Sequence, residues 1–131
     1  MKYVAAEDIL AIHSELIDET GGLHGVRDVG LLVSVTMRPK GRFGGRPLYK
    51  NVFEKAAVYL EALARNHVFT DGNKRTAILV CARFLFSNGF ELTATNKEVE
   101  EFVIKVVIEK LSAQEVAVWV KRHSRRIKKR H

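Results

Sequence analysis

The stretch "HVFTDGNKRTAILVCARFLFS", residues 67–87, joins a short polar segment to a long apolar one. The apolar part, from about residue 74 to 87, is apolar on nearly all sides, which predicts a buried helix at the centre of the domain. The polar part then lies at the N-terminus of that helix, where backbone N–H groups have no intrahelical partner. The stretch therefore predicts a buried helix whose first turn can bind an anion.

Helical patterns lie on both sides of this stretch. Apolar residues recur with helical spacing before it, Asp28 is a candidate N-cap, and "TNKE" at 95–98 and "SAQE" at 112–115 match the capping-box pattern. No segment indicates a convincing sheet. The chain is therefore expected to be all-α, a compact bundle of about six helices. The predicted ranges are about 5–19, 29–37, 51–66, 74–87, 96–110 and 113–127.

One basic segment interrupts the helical patterns. The segment "RPKGRFGGRPLYK", residues 38–50, holds both prolines, three of the nine glycines and no acidic residue. Glycine and proline interrupt regular structure. The segment therefore predicts one basic excursion from the bundle, either a flexible loop or a small hairpin.

The net charge of +7 comes from the C-terminal end of the chain. The last eleven residues, "KRHSRRIKKRH", hold seven of the 22 Lys and Arg and no acid, so the rest has 15 basic and 15 acidic residues. We divide the chain into a domain of residues 1–122 and a basic tail of residues 123–131. The tail is interpreted as a solvated, frayed helix end; the alternative is a block that attracts nucleic acid or an acidic partner.

The composition indicates the compartment. Cys81 is the one cysteine, so no internal disulfide can form, which fits a reducing environment. The N-terminus lacks an apolar run of signal-peptide length, and no later stretch is long enough to span a bilayer. We expect a cytoplasmic protein with no membrane partner.

The polar segment holds the groups that a phosphate transfer needs. His67 can accept a proton from a hydroxyl near neutral pH, and Asp71 offers a carboxylate to Mg²⁺ beside nucleotide phosphates. Gly72 lets the backbone approach a ligand closely. The amide and the two cations that can contact phosphate are Asn73, Lys74 and Arg75.

Each of these residues has an ordinary interpretation when it is taken alone. A histidine at a helix end commonly caps carbonyl groups, Asp-Gly-Asn is a common turn, and adjacent cations are commonly solvated. Their conjunction within nine residues favours a site for ATP and Mg²⁺. The five histidines show no metal-ligand spacing, and the glycines match neither the Walker nor the Rossmann pattern.

The motif "HVFTDGNKR", residues 67–75, resembles the signature of the Fic/Doc family, and within it the death-on-curing (Doc) toxins. The glycine-punctuated segment "GGLHGVRDVG", residues 21–30, is similar to a segment that Doc-like proteins carry after their first helix. The likeness covers about residues 3–122. It implies an all-helical fold that moves part of a nucleotide onto a protein hydroxyl.

The resemblance also implies residue roles. His67 is then the catalytic base, Asp71 positions magnesium, and Phe69 anchors the loop in the core. The nucleotide is held by Asp71, Gly72, Asn73, Lys74 and Arg75. A flap that holds the target protein beside the site corresponds to Arg42, Phe43, Gly44, Gly45, Arg46, Pro47 and Leu48.

The details of the motif bear on the reaction. Val68 and Lys74 match the Doc branch, which resembles kinases that transfer the γ-phosphate of ATP, whereas Gly72 matches the AMP-transferring branch better. The favoured hypothesis is a toxin kinase acting on a translation factor, by analogy elongation factor Tu. The alternative is an AMP transferase. Since no convincing inhibitory Ser/Thr-x-x-x-Glu helix is present, a separate antitoxin is expected as a partner.

Two hypotheses from other classes stay open at this point. The basic tail favours a nucleic-acid-binding regulator, whose affinity would fall steeply with salt, although nucleic acid is not expected as a substrate. A non-catalytic relative could also keep the fold as a binding scaffold, because fold and motif do not establish turnover.

Overall fold

The computed structural model describes residues 1–128 and contains six α-helices. The expected helical bundle is confirmed, with five of the six helices within two residues of their predicted bounds. The helices are α1 (Ala6–Thr20), α2 (Val29–Met37), α3 (Val52–Arg65), α4 (Asn73–Ser87), α5 (Asn96–Ile108) and α6 (Ala113–Arg122). The strands are β1 (Arg42–Phe43), β2 (Arg46–Pro47), β3 (Phe90–Leu92) and β4 (Ser124–Arg126).

Helix α3 is the central helix of the bundle. Its residues 55–64 are all buried, and it packs against α2, α4, α5 and α6. The prediction that α4 is the central buried helix was wrong, because Leu79 and Phe86 on α4 are 42% and 64% exposed. A helix that is apolar all round need not be surrounded when its neighbours cover only one face.

Helix α3 contains two buried charged residues, Lys55 and Glu61, and charged residues are typical of surface helices. Lys55 donates a hydrogen bond to the carbonyl of Pro39 at 2.9 Å. Glu61 lies between two arginines, with Arg38 at 2.9 Å and Arg65 at 3.3 Å. Burying a charge is costly unless it is paired, so these contacts allow α3 to occupy the centre of the fold.

The C-terminal end of the chain departs from the prediction. The expected helix over 113–127 ends at Arg122, and Ser124–Arg126 pairs with Phe90–Leu92 as a two-stranded antiparallel ribbon. The prediction of no sheet was wrong, and so was the reading of residues 124–126 as a frayed helix end. The strand β3 offers backbone partners that no local pattern in the tail reveals.

Two of the tail's cations are used in this ribbon. Arg125 pairs with Glu91 at 2.8 Å, and the guanidinium of Arg126 lies 5.1 Å from the ring centre of Phe90. These residues therefore contribute to the fold. Lys129, Arg130 and His131 lie outside the described residues, so the basic tail and the domain division at residue 122 stay predictions.

The basic excursion forms a small hairpin, which was one of its two predicted forms. Strands β1 and β2 pair antiparallel, with Arg42 opposite Pro47 and Phe43 opposite Arg46. The two turn residues, Gly44 and Gly45, have φ angles of 57° and 78°. Positive φ at both positions is typical of the type I′ turn that closes two-residue hairpins and favours glycine there. The hairpin is exposed beside the bundle.

Two observations concern the compartment that the composition indicated, namely the burial of Cys81 and the character of the helices. Cys81 is fully buried in α4, as the sequence predicted, and this burial raises the pKa of its thiol to about 12. A thiol held in its protonated form is a poor nucleophile. Within residues 1–128, no helix combines the length and the apolar character that crossing a membrane requires.

Side-chain caps start four of the helices. The predicted capping residues are confirmed, with Asp28 accepting a hydrogen bond from the N–H of Leu31 and with capping boxes at Thr95 and Ser112. At the Thr95 box, the carboxylate of Glu98 accepts a hydrogen bond from the backbone N–H of Thr95, which lowers the pKa of Glu98.

Replacing Thr95 with alanine is expected to destabilise the fold by about 0.5–2 kcal/mol. The substitution removes the hydroxyl that accepts a hydrogen bond from the N–H of Glu98 at 3.2 Å, and that N–H is then left to solvent. Urea denaturation measures the change in the free energy of unfolding. Thr93→Ala is the matched control, because the exposed Thr93 side chain makes no hydrogen bond within the described residues. Equal losses in both variants would contradict the role of the cap.

Candidate active site

The polar motif forms a loop that begins where α3 ends. Asn66 is the C-cap of α3, and His67 follows it with a φ angle of 45°. The left-handed region is unfavourable for a non-glycine residue, and such strain is often found at functional sites. The side chain of His67 is exposed, so the candidate base faces solvent and not the apolar core.

The two apolar residues of the motif hold this loop in the core. Val68 is fully buried and Phe69 is 1% exposed. The backbone of Phe69 forms an isolated antiparallel β-bridge with Val26. The ring of Phe69 stacks on the ring of His13, with 3.7 Å between the ring centres and 5° between the planes. Phe69 therefore occupies the position that an anchor requires, directly between His67 and the first residues of α4.

Asn73 fixes the shape of the loop with both ends of its side-chain amide. Its Oδ1 accepts a hydrogen bond from the backbone N–H of Phe69 and its Nδ2 donates one to the carbonyl of the same residue, each at 2.9 Å. These bonds use the side-chain groups that the sequence analysis assigned to the nucleotide. The side chain of Asn73 thus positions the loop, and its backbone N–H remains available to a ligand.

The glycine-rich segment after α1 lies against the motif. The carbonyl of Val68 accepts hydrogen bonds from the N–H groups of Arg27 and Asp28, and the carbonyl of Gly25 accepts one from Thr70. Two segments about 40 residues apart in the chain are thereby joined in one site. Both segments carry the resemblance to the family, but no pattern in the sequence predicts their pairing.

Asp71 lies at the outer side of the turn. One carboxylate oxygen, Oδ2, accepts a hydrogen bond from the N–H of Leu23 at 2.9 Å, and Oδ1 has no protein partner within the described residues. The carboxylate is exposed. An exposed carboxylate with one unused oxygen fits a Mg²⁺ that nucleotide phosphates also hold, and residues 1–128 contain no cluster of three or more metal-ligating side chains.

Helix α4 starts without a side-chain cap. Its N-cap is Gly72, which has a left-handed backbone with a φ angle of 76°. The backbone N–H groups of Gly72, Asn73 and Lys74 have no acceptor within the described residues. A Cβ at Gly72 would lie 3.1 Å from the Cδ1 methyl of Ile17 in α1, so that methyl would have to shift slightly, and the positive φ angle also favours glycine here. Open N–H groups at the positive end of a helix dipole are the features that anion binding requires.

The two cations of the motif have different surroundings. Lys74 is exposed and takes part in no ion pair within the described residues. Arg75 lies 3.3 Å from Glu100 of α5, and both side chains are more than half exposed. Exposed pairs contribute little to stability, so a phosphate can compete for Arg75. The structure does not place its guanidinium at the turn.

His67 borders a cavity of its own. The cavity has a volume of about 260 Å³ and is lined by Arg27, Asp28, Leu31, Arg65, Asn66 and His67. Asp71 does not line it, so the sequence-based picture of both side chains in one cleft is not reproduced there. The cavity lies beside the N-terminus of α2. A second cavity runs along α2 from Gly30 to Met37 and reaches Gly41 and Leu48 at the base of the hairpin.

His13 contacts the motif, and this contact was not predicted from the sequence. It is only 4% exposed in α1, and its Nε2 lies 2.7 Å from the carbonyl oxygen of Asp71. The spacing of the histidines along the chain fits no metal site and does not predict this contact. One signal was present, because His13 falls on the same helical face as the buried Ile9, Leu16 and Ile17.

Comparisons with known proteins agree with this geometry. The model of the Fic/DOC family matches residues 3–85. The chain is 42% identical over 93 residues to the protein named Toxin Doc of Mycolicibacterium smegmatis (strain ATCC 700084 / mc(2)155), which covers 71% of this chain and 69% of that protein. It is 32% identical over 125 residues to Protein kinase doc of Escherichia phage P1, which covers 93% of this chain and 95% of that protein.

The chain belongs to the Fic/DOC family. The family match ends inside α4 and contains the whole motif from His67 to Arg75. The similarity to the phage protein extends over nearly the whole chain, which indicates that α5 and α6 belong to the shared fold as well.

Proposed function

We propose that this protein is a Doc-like toxin that transfers the γ-phosphate of ATP to a hydroxyl group of a protein. The observation that carries the proposal is the uncapped, open turn at the start of α4, which follows the exposed and strained His67 by five residues. Anion binding, a base and a carboxylate are thereby combined in one loop. The relative from phage P1 is named a protein kinase, which supports phosphate transfer.

The residues of this chain provide three parts of such a reaction. The N–H groups of the turn and the side chain of Lys74 neutralise phosphate charge, and the N–H groups avoid the cost of reorganising solvent because the backbone holds them in place. Asp71 would hold Mg²⁺, and the ion would supply further positive charge to neutralise the phosphates. His67 accepts the proton of the attacking hydroxyl, and its position in a cavity open to solvent gives that hydroxyl access.

The choice between phosphate and AMP transfer depends on the turn. Lys74 places a cation directly after Asn73, and the resemblance to the family implies that glycine is usual at this position in the AMP-transferring branch. A bulky cation there favours a reversed orientation of ATP relative to the one in the AMP-transferring branch. In the reversed orientation the γ-phosphate is the group that is transferred. Gly72 supports AMP transfer as the second candidate, since a glycine at this position is typical of that branch.

We also propose the partners of the protein. The acceptor is a protein, by analogy elongation factor Tu, and the exposed hairpin of residues 42–48 holds it by adding a strand at an open edge. Because one relative is named Toxin Doc, a separate antitoxin is the expected restraint. A partly disordered partner that folds on binding would suit this role.

The position of the transferred label distinguishes the two reactions. The purified protein is incubated with Mg²⁺, elongation factor Tu and ATP labelled at either the γ- or the α-phosphate. Label from the γ-position is expected on the acceptor, together with the added mass of one phosphate. Label from the α-position would support AMP transfer instead. Transfer from neither position, in the factor and in a cell lysate, would refute the proposed function.

A further inference from the structure

The carbonyl of Asp71 points toward the buried side of the loop. It accepts a hydrogen bond from Nε2 of His13 at 2.7 Å. A carbonyl oxygen cannot donate, so Nε2 must carry the proton in this contact. His13 is almost fully buried, and its ring is fixed by the stack on Phe69. The direction of this carbonyl is therefore set by a rigid donor on another helix.

The direction of the carbonyl determines the direction of the next N–H group. The Asp71–Gly72 peptide is trans, since the structure contains no cis peptide within residues 1–128. In a planar trans peptide the C=O and N–H bonds point in opposite directions. With the carbonyl turned toward α1, the N–H of Gly72 points away from α1, and it has no acceptor within the described residues.

The backbone alone does not keep this orientation. A rotation of the Asp71–Gly72 peptide changes ψ of Asp71 and φ of Gly72, and glycine adopts φ angles of either sign. The rotated peptide would present the carbonyl oxygen of Asp71 to a bound phosphate in place of the N–H of Gly72. An oxygen at that position would repel the anion that the turn is proposed to hold.

We propose that His13 is a positioning residue, which holds the Asp71–Gly72 peptide with its N–H directed at a bound phosphate group. This inference rests on the proposed function only in naming phosphate as the anion. His13 acts through the backbone of Asp71 and does not itself touch the nucleotide. The same contact joins α1 to the motif, in addition to the hydrogen bond from Leu23 to the Asp71 carboxylate.

Two substitutions separate the hydrogen bond from the packing of the ring. His13→Phe keeps an aromatic ring against Phe69 and removes the donor. His13→Gln places an amide N–H the same number of bonds from Cα as Nε2 and removes the ring. The dissociation constant for inorganic pyrophosphate, measured from the ¹⁵N and ¹H shifts of the Gly72 amide, is expected to rise about 10- to 100-fold in His13→Phe. It is expected to stay near the wild-type value in His13→Gln.

Equal weakening in both variants, or an unchanged dissociation constant in His13→Phe, would overturn the inference. A measurement on the unmodified protein covers the case in which a variant does not fold. The ring nitrogens of His13 are expected to show a proton on Nε2, and a neutral ring protonated on Nδ1 alone would also overturn it. If the wild type binds pyrophosphate in this way but transfers no label from ATP, the proposed function fails and the role of His13 stands.

Discussion

Replacing His67 with alanine is expected to reduce label transfer from ATP by about 10²–10⁴-fold, the usual cost of losing a general base. The fold is expected to survive, because the side chain is exposed. Initial rates of transfer at saturating ATP measure the effect, and thermal unfolding checks the fold. The dissociation constant for ATP with Mg²⁺ should change little, since the imidazole holds a proton and not the phosphates.

The left-handed backbone at His67 requires a second variant. Alanine is strained at a φ angle of 45°, so a loss of activity could come from a shifted loop. His67→Asn removes the base but suits this backbone region, and it should lose as much activity as His67→Ala. His24→Ala is the matched control, because His24 is exposed and pairs with Asp18 outside the motif. Wild-type rates in either His67 variant would exclude the imidazole as the base.

Replacing Phe69 with alanine is expected to lower the free energy of unfolding by about 3–5 kcal/mol. The ring is 1% exposed and stacks on His13, so its removal leaves a cavity between α1 and the motif loop. Single domains are stable by only about 5–15 kcal/mol. Urea denaturation followed by circular dichroism measures the loss, and ATP binding should weaken because the turn is attached to this ring.

Phe43→Ala is the matched control for this second prediction. Phe43 lies in the hairpin with 79% of its surface exposed, so the same chemical change should alter the free energy of unfolding by less than about 0.5 kcal/mol. Should Phe69→Ala cost less than about 1 kcal/mol, the loop would not depend on its anchor. An effect of Phe43→Ala on label transfer to the protein acceptor, at unchanged stability, would support the hairpin as the flap.

Local sequence patterns were sufficient to predict the bounds of most helices. Helix starts at Asp28, Thr95 and Ser112 were predicted because capping side chains act on N–H groups only two or three residues away. The central helix was assigned wrongly because the burial of Lys55 and Glu61 depends on partners elsewhere in the chain. A helical pattern of apolar residues assigns charged side chains to the exposed face when the groups that pair with them are not known.

The sequence by itself determined a helical domain and a nine-residue motif with a histidine, a carboxylate, a glycine and two cations at the start of a helix, because spacing along the chain controls caps and turns. Only the tertiary structure decided which groups of that loop are free. The side-chain amide of Asn73 is hydrogen-bonded to the backbone of Phe69, and Arg75 pairs with Glu100. His13 of α1 contacts the carbonyl of Asp71. These interactions join residues up to 58 positions apart in the chain. Such contacts form only when packing brings the helices together.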